Sequence, residues 1–88
     1  MELRLYVAGS APNSLQAKRN LDTLLASLDP ASYRLEIIDC LAEPARTLAD
    51  GVVVTPTLRR ISPEPTCTVI GTLADEANVR AMICAQTR

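Results

Sequence analysis

The side chains with intrinsic nucleophilic chemistry in this 88-residue chain are Cys40, Cys67 and Cys84, with Ser10 and Ser14 offering hydroxyls. A thiol attacks as its thiolate, which calls for a cationic neighbour or a helix N-terminus to lower its pKa. The first stretch suited to such a terminus is Gly9-Ser10-Ala11-Pro12-Asn13-Ser14, and it holds no cysteine. Cys67 falls in a strand-like run and Cys84 in a helical one, so both read as small apolar core residues. Cys40 lies nearer a loop and is the candidate reactive thiol, with no base beside it. The three thiols lack metal-ligand spacing, and with 0 histidines neither a Ser-His or Cys-His pair nor an ordinary zinc site can form. Ser10 and Ser14 read as turn and helix-start residues, and Glu43 and Asp50 as the solvated flanks of a short helix. Gly9, Gly51 and Gly71 do not gather into a phosphate-cradling loop. No catalytic residue, metal or cofactor is expected, and the chain is not expected to be an enzyme.

Composition narrows the alternatives. Nine basic and ten acidic residues leave a net charge of −1, unlike a surface built to displace counterions from nucleic acid. Hydrophobic residues make up 48% of the chain, enough for one globular domain over residues 1–88 and too few residues for a second core. With no Phe or Trp, and only Tyr6 and Tyr33 as aromatics, the core must be packed by Leu, Ile, Val and Ala. No run approaches the roughly 20 apolar residues of a membrane span, and Glu2 and Arg4 interrupt any leader-like start. Dispersed cysteines of odd number fit reduced thiols in the cytoplasm.

The elements that must position any site follow from periodicity. Leu3, Leu5 and Val7 alternate with Arg4 and Tyr6, which predicts a first strand over Leu3–Ala8. Asn13 is expected to cap a helix, with Gln16 in capping-box spacing. Leu21, Leu24, Leu25 and Leu28 form its apolar face, and Asp29-Pro30 ends it. A second strand is expected over Tyr33–Asp39, and a two-turn helix from Glu43 and Pro44 to an exit at Gly51. Thr57–Ser62 reads as a third strand and Cys67–Ile70 as a fourth, joined by the extended corner Pro63-Glu64-Pro65. Thr72, with Asp75 in capping-box spacing, is expected to open a last helix with Val79, Met82, Ile83 and Gln86 on one face. The order is β-α-β-α-β-β-α. A right-handed crossover makes the first two strands parallel and the proline corner makes the last two an antiparallel hairpin, giving a mixed four-stranded α/β sheet.

The centre of this arrangement is Val52-Val53-Val54-Thr55-Pro56-Thr57-Leu58. Its β-branched run is stiff and extended, and Pro56, unable to donate to a ladder, must stand at a strand's start or edge. A strand entered through Thr-Pro behind a βαβα pattern resembles the cis-proline corner of the thioredoxin-like fold.

Longer blocks carry a narrower likeness. Leu5-Tyr6-Val7-Ala8-Gly9-Ser10-Ala11-Pro12-Asn13-Ser14 resembles the L-Y-V-A-G-N-T-P-N-S stretch of the KaiB family of circadian-clock proteins. In register behind it come Ile37-Ile38-Asp39 with Pro44, then Thr55-Pro56-Thr57-Leu58, then Ser62-Pro63-Glu64-Pro65 with Val69-Ile70-Gly71. The resemblance implies an adaptor that binds the ring of a KaiC-type ATPase and modulates its phosphorylation or signalling state. A KaiA-like protein is the second partner it implies. The alternative within this likeness is the sensor domain of a SasA-type histidine kinase, and outside it a thioredoxin-like redox protein. Met1 opening directly into the first strand favours the free-standing form.

Carried over by position, the implied partner contacts are Tyr6, the first-helix start at Ser14 and Gln16, and the segment from Asp50 through Thr55 and Pro56. The edge implied to face a KaiA-like protein is the second strand, at Arg34 and Glu36. The charge pattern departs from the family's. Gly51 and Gln16 stand where it has basic residues, Cys67 and Thr68 replace a basic pair, and Arg34 and Glu36 replace Ala and Lys. Clock members switch between a tetramer with a rearranged C-terminal half and a thioredoxin-like monomer, and carry Gly and Asp in the last segment. Met82 and Cys84 stand there instead, and losing the Gly alone favours helix by about 0.5–1 kcal/mol. The expected resting state is therefore the thioredoxin-like monomer.

Overall fold

The computed structural model describes residues 1–84 and shows the element order β1 (Glu2–Val7), α1 (Pro12–Leu25), β2 (Arg34–Asp39), α2 (Pro44–Ala49), β3 (Thr57–Ser62), β4 (Cys67–Ile70) and α3 (Glu76–Cys84). Gln86 and the side chain of Cys84 lie outside the described portion. The sheet runs β2-β1-β3-β4, with β1 parallel to β2 and antiparallel to β3, and β3 antiparallel to β4. This is the mixed four-stranded sheet expected from the sequence. The Thr55-Pro56 bond is cis, as are Ser62-Pro63 and Glu64-Pro65.

Strand parity divides the molecule. Leu3, Leu5 and Val7 of β1 pack with Leu58 of β3 against Leu21, Leu24 and Leu25 of α1 and Val79, Met82 and Ile83 of α3. The other face carries a smaller cluster of Tyr6, Ile38 and Val52, with Cys40 against it. Cys40 is half-buried and more enclosed than its place beside a loop suggested.

Several boundaries move, each for a local reason. Helix α1 begins one residue before Asn13: Pro12 takes the first helical position, Ala11 is the N-cap, and no side chain caps it. Gln16 bonds Asn20 one turn on (3.2 Å) rather than closing a capping box. The helix ends at Leu25, not at Asp29-Pro30, and a 3₁₀ turn over Pro30–Ser32 follows, with Asp29 accepting from the Ala31 amide. Leu28 still packs on the core from the turn. Strand β1 is shifted one residue towards the N-terminus and β2 begins at Arg34, leaving Tyr33 outside it. Helix α3 opens at Glu76, and Asp75 rather than Thr72 bonds its first turn, accepting from the Asn78 amide at 3.2 Å.

The exit of α2 follows the expected pattern in detail. Gly51 has φ 74°, a left-handed conformation costly to any residue with a Cβ. Its amide bonds the Leu48 carbonyl and the Val52 amide bonds the Thr47 carbonyl, both at 3.1 Å. These paired bonds are the Schellman closure of a helix. They turn Val52 inward and leave Val53 outside.

Candidate functional site

The site is assembled from side chains that share one parity on the sheet and meet the end of α2. Tyr6 of β1 is fully buried, and its hydroxyl donates to Asp50 Oδ2 at 2.8 Å. Burial first, then the bond to Asp50, raises the Tyr6 pKa above its ordinary value, so the phenol stays protonated and keeps donating. Arg4 Nη1 and Arg46 Nε each lie 3.7 Å from the same Asp50 oxygen. Arg46 also forks onto Glu36 of β2, at 2.6 and 2.8 Å, the bidentate geometry that makes guanidinium–carboxylate pairs strong. Those hydrogen bonds hold the Glu36 carboxyl below its usual range, outweighing the opposing effect of desolvation. Arg59 of β3 closes the group from the far side: Nη1 donates to the Asp50 carbonyl at 2.7 Å, and the guanidinium sits 5.5 Å from the centre of the Tyr6 ring. Asp50 is thus a hub joining β1, β3 and α2, not the solvated helix flank its position suggested.

A second set of polar bonds fixes the end of the sheet where β1 gives way to α1. Ser14, buried, accepts from the Ala8 amide at 3.0 Å, and Asp39 accepts from the Gly9 and Leu41 amides, each at 3.0 Å. Those backbone donors, Gly9 first, lower the Asp39 pKa. Gly9 has φ 54°, and a Cβ there would come within 3.2 Å of the Leu41 side chain. These contacts give a physical reason for the Gly-Ser-Ala-Pro-Asn-Ser and Ile-Ile-Asp blocks: each holds the other's loop. The Tyr6↔Thr57 pairing brings Thr55 and buried Pro56 to the same end.

The eight residues singled out from sequence therefore separate. Tyr6, Asp50 and Glu36 share one network, while Ser14, Thr55 and Pro56 share the sheet end. Gln16 is exposed on α1. Arg34 is exposed at the opposite end, paired with Glu2. Tyr6, Ser14 and Pro56 are buried and present no side-chain surface to another molecule.

Exposed apolar side chains surround the end of α2 in sequence; Val53 and Val54 fall in the segment singled out from sequence, and Leu41, Leu48 and Ile70 do not. Leu48 is 82% exposed, Val53 91% and Leu41 72%, with Val54 and Ile70 also exposed. The available signal was local: Leu48 and Val53 flank the Asp50-Gly51 exit, which turns Val52 in and so Val53 out. Sequence reasoning missed Arg4, Arg46 and Arg59, although Arg46 stands one turn before Asp50 and Arg4 shares the parity of Tyr6. Cys67 is half-buried and packs against the main core as expected, with the Arg60 guanidinium 3.2 Å from its sulfur. Among the described residues no group of His, Cys, Asp and Glu is arranged to hold a metal ion, and no helix is long and apolar enough to cross a membrane.

The architecture is that of a thioredoxin-like domain whose α1 start carries Gly9-Ser10-Ala11-Pro12 in place of a cysteine motif. Solved structures agree on the fold. The N-terminal domain of Synechococcus elongatus SasA matches with TM-score 0.74 and 23% identity, covering 99% of this chain and 86% of that one. A mutant thioredoxin of Halobacterium salinarum NRC-1 matches with TM-score 0.79 and 24% identity, over 99% and 74%. At such identities the likeness shows the fold alone. The KaiB domain model matches residues 4–84. The circadian clock oscillator protein KaiB of Gloeothece citriformis (strain PCC 7424) is 40% identical over 77 residues, spanning 88% of this chain and 73% of the relative. That of Prochlorococcus marinus (strain MIT 9313) is 42% identical over 77 residues, spanning 88% and 65%. The chain belongs to the KaiB family.

Proposed function

We propose that this chain is a non-catalytic adaptor that docks on the ring of a KaiC-type ATPase and modulates its phosphorylation or signalling state. The observation that carries the reading is the exposed apolar surface of Val53 and Val54, on the segment where the family resemblance implies partner contacts, and of Leu48 just before it. Isolated exposed apolar residues are ordinary on protein surfaces. Three on one short helix and its exit, held rigid from beneath by Tyr6, Asp50, Arg4, Arg46 and Arg59, form a preorganised patch. In this reading Leu48 and Val53 are the anchors, with Gln16, Asp50 and Thr55 at the rim. Tyr6, Ser14 and Pro56 position the patch without touching the partner. Arg34 and Glu36, on edge strand β2, form the surface for a KaiA-like protein. The protein acts as a cytoplasmic monomer, without nucleic acid or membrane.

The sensor-domain alternative has the fold likeness to SasA behind it and would place the same patch on the same kind of ring. The redox alternative has less behind it, since Cys40 packs beside Tyr6, Ile38 and Val52, Cys67 lies on β4, and the start of α1 holds no cysteine.

The test is size-exclusion chromatography of the chain with a KaiC-type ATPase from the same source, in ATP and in ADP. Co-elution with the ring is expected in at least one nucleotide state. It should be abolished by Val53→Glu or Leu48→Asp and kept by Arg34→Ala. No complex in either state, or a complex indifferent to both patch substitutions, overturns the reading.

A further inference from the structure

Arg60 of β3 faces the main core, away from Arg59, and is only 3% exposed. Burying a guanidinium is costly unless an anion matches it, and the usual match is a carboxylate. Among the described residues no carboxylate pairs with it. Its acceptors are neutral. Nη1 donates to the Met82 carbonyl at 2.7 Å, and Nη2 to the Pro65 carbonyl at 3.0 Å and to Cys67 Sγ at 3.2 Å. Nε is buried with no partner. The side chain is a buried cation with a donor to spare and no counter-charge.

Of these acceptors only the sulfur can become an anion. Cys67 stands directly opposite Arg60 in the β3–β4 pairing, so strand register brings the two together. A neutral thiol is a weak acceptor, whereas a thiolate in the same place supplies the missing charge and makes the contact a charge-assisted bond. The thiol's own hydrogen points to the Pro65 carbonyl, 3.6 Å from Sγ. That carbonyl already accepts from Arg60, so it stays bonded when the thiol proton leaves. Its partial negative charge opposes the anion less than the full charge of Arg60 favours it. Cys67 is half-buried on edge strand β4, within reach of a small solute.

We propose that Cys67 is a site of oxidation by hydrogen peroxide, with Arg60 stabilising its sulfur as the attacking anion. The sulfur attacks one peroxide oxygen, so that the S–O bond forms and the O–O bond breaks. The leaving hydroxide takes up the proton that the thiol gave up. The sulfur is oxidised to a sulfenic acid and the peroxide is reduced to water. The site is a single thiol beside a cation, unlike the paired-cysteine exchange of a thioredoxin, and it does not depend on what the apolar patch binds.

The test is timed treatment of the full chain with hydrogen peroxide and excess dimedone, which traps sulfenic acids, followed by peptide mass mapping. Exposure alone can only make a half-buried thiol slower than the same thiol in the unfolded chain. Cys67 should instead be labelled about tenfold faster in the folded chain than in urea. Cys40, half-buried against Tyr6, Ile38 and Val52, should be slower folded than unfolded. Arg60→Met should remove the advantage of Cys67, and Arg60→Lys, which keeps the charge, should recover part of it. An unchanged rate in folded Arg60→Met overturns the proposal. If that variant does not fold, the unaltered protein decides: Cys67 labelled no faster folded than unfolded sinks it.

Discussion

The two faces of the central sheet are made from the same strands and obey different physics. On the α1–α3 face, Leu3, Leu5, Val7 and Leu58 are buried among aliphatic side chains, and cohesion comes from area removed from water. On the α2 face, the alternate residues Arg4, Tyr6, Glu36 and Arg59 are joined through Asp50 and Arg46 by directional bonds, under a helix of only six residues. The difference teaches a division of labour. The aliphatic face specifies and stabilises the fold. The polar face buries a smaller cluster, Tyr6, Ile38 and Val52, and ties the end of α2 to the sheet by directional bonds.

The largest effect should come from the aliphatic face. Leu5→Ala removes a fully buried side chain from the middle of β1 and should cost about 2–5 kcal/mol in denaturant unfolding, since the surrounding core collapses only partly into the gap. A cost near 1 kcal/mol would erase the contrast between the faces. Tyr6→Phe comes next, deleting a hydrogen bond to a charged acceptor while keeping the ring, and should cost about 1–2 kcal/mol. Its pH dependence has a definite sign. The folded pKa of Tyr6 is raised, so its contribution is present below the ordinary value of about 10 and is lost as pH rises through the folded value. Stability measured between neutral and alkaline pH should lose that component in the variant.

Val53→Ser should change the melting behaviour by no more than about 0.5 kcal/mol, because the side chain is almost wholly in water. A larger loss in the isolated protein would make the patch part of the core. The smallest effect belongs to Glu36→Gln. Arg46 lowers the Glu36 pKa, so that pair contributes above the ordinary carboxylate value of about 4 and fades as pH falls through the lower folded value. Acid unfolding should be shallower in the variant, with stability near neutrality almost unchanged because the pair is exposed to solvent.

How much of this was legible varied with the range of the interaction. The element order, the parallel and antiparallel pairings and the turn at Gly51 follow from period, proline placement and glycine. Helix starts were less legible. Asn13 and Thr72 have capping side chains, yet α1 starts on Pro12, whose fixed φ suits the first helical position, and the first turn of α3 is bonded by Asp75. The blocks shared with the family say nothing about which of their side chains are exposed. Tyr6, Ser14 and Pro56 are buried supports, whereas Leu48 and Val53 occupy the surface.

The sequence by itself determined the α/β order of these elements, because period, turn chemistry and proline constraints act over a few neighbouring residues. Only the tertiary structure decided that Asp50 would meet Tyr6 44 residues away, and that Arg59 and Arg60 would serve opposite faces with unrelated partners. A charge pair or a buried guanidinium is defined by separations of a few ångströms. Those separations do not exist until the strands have paired in register.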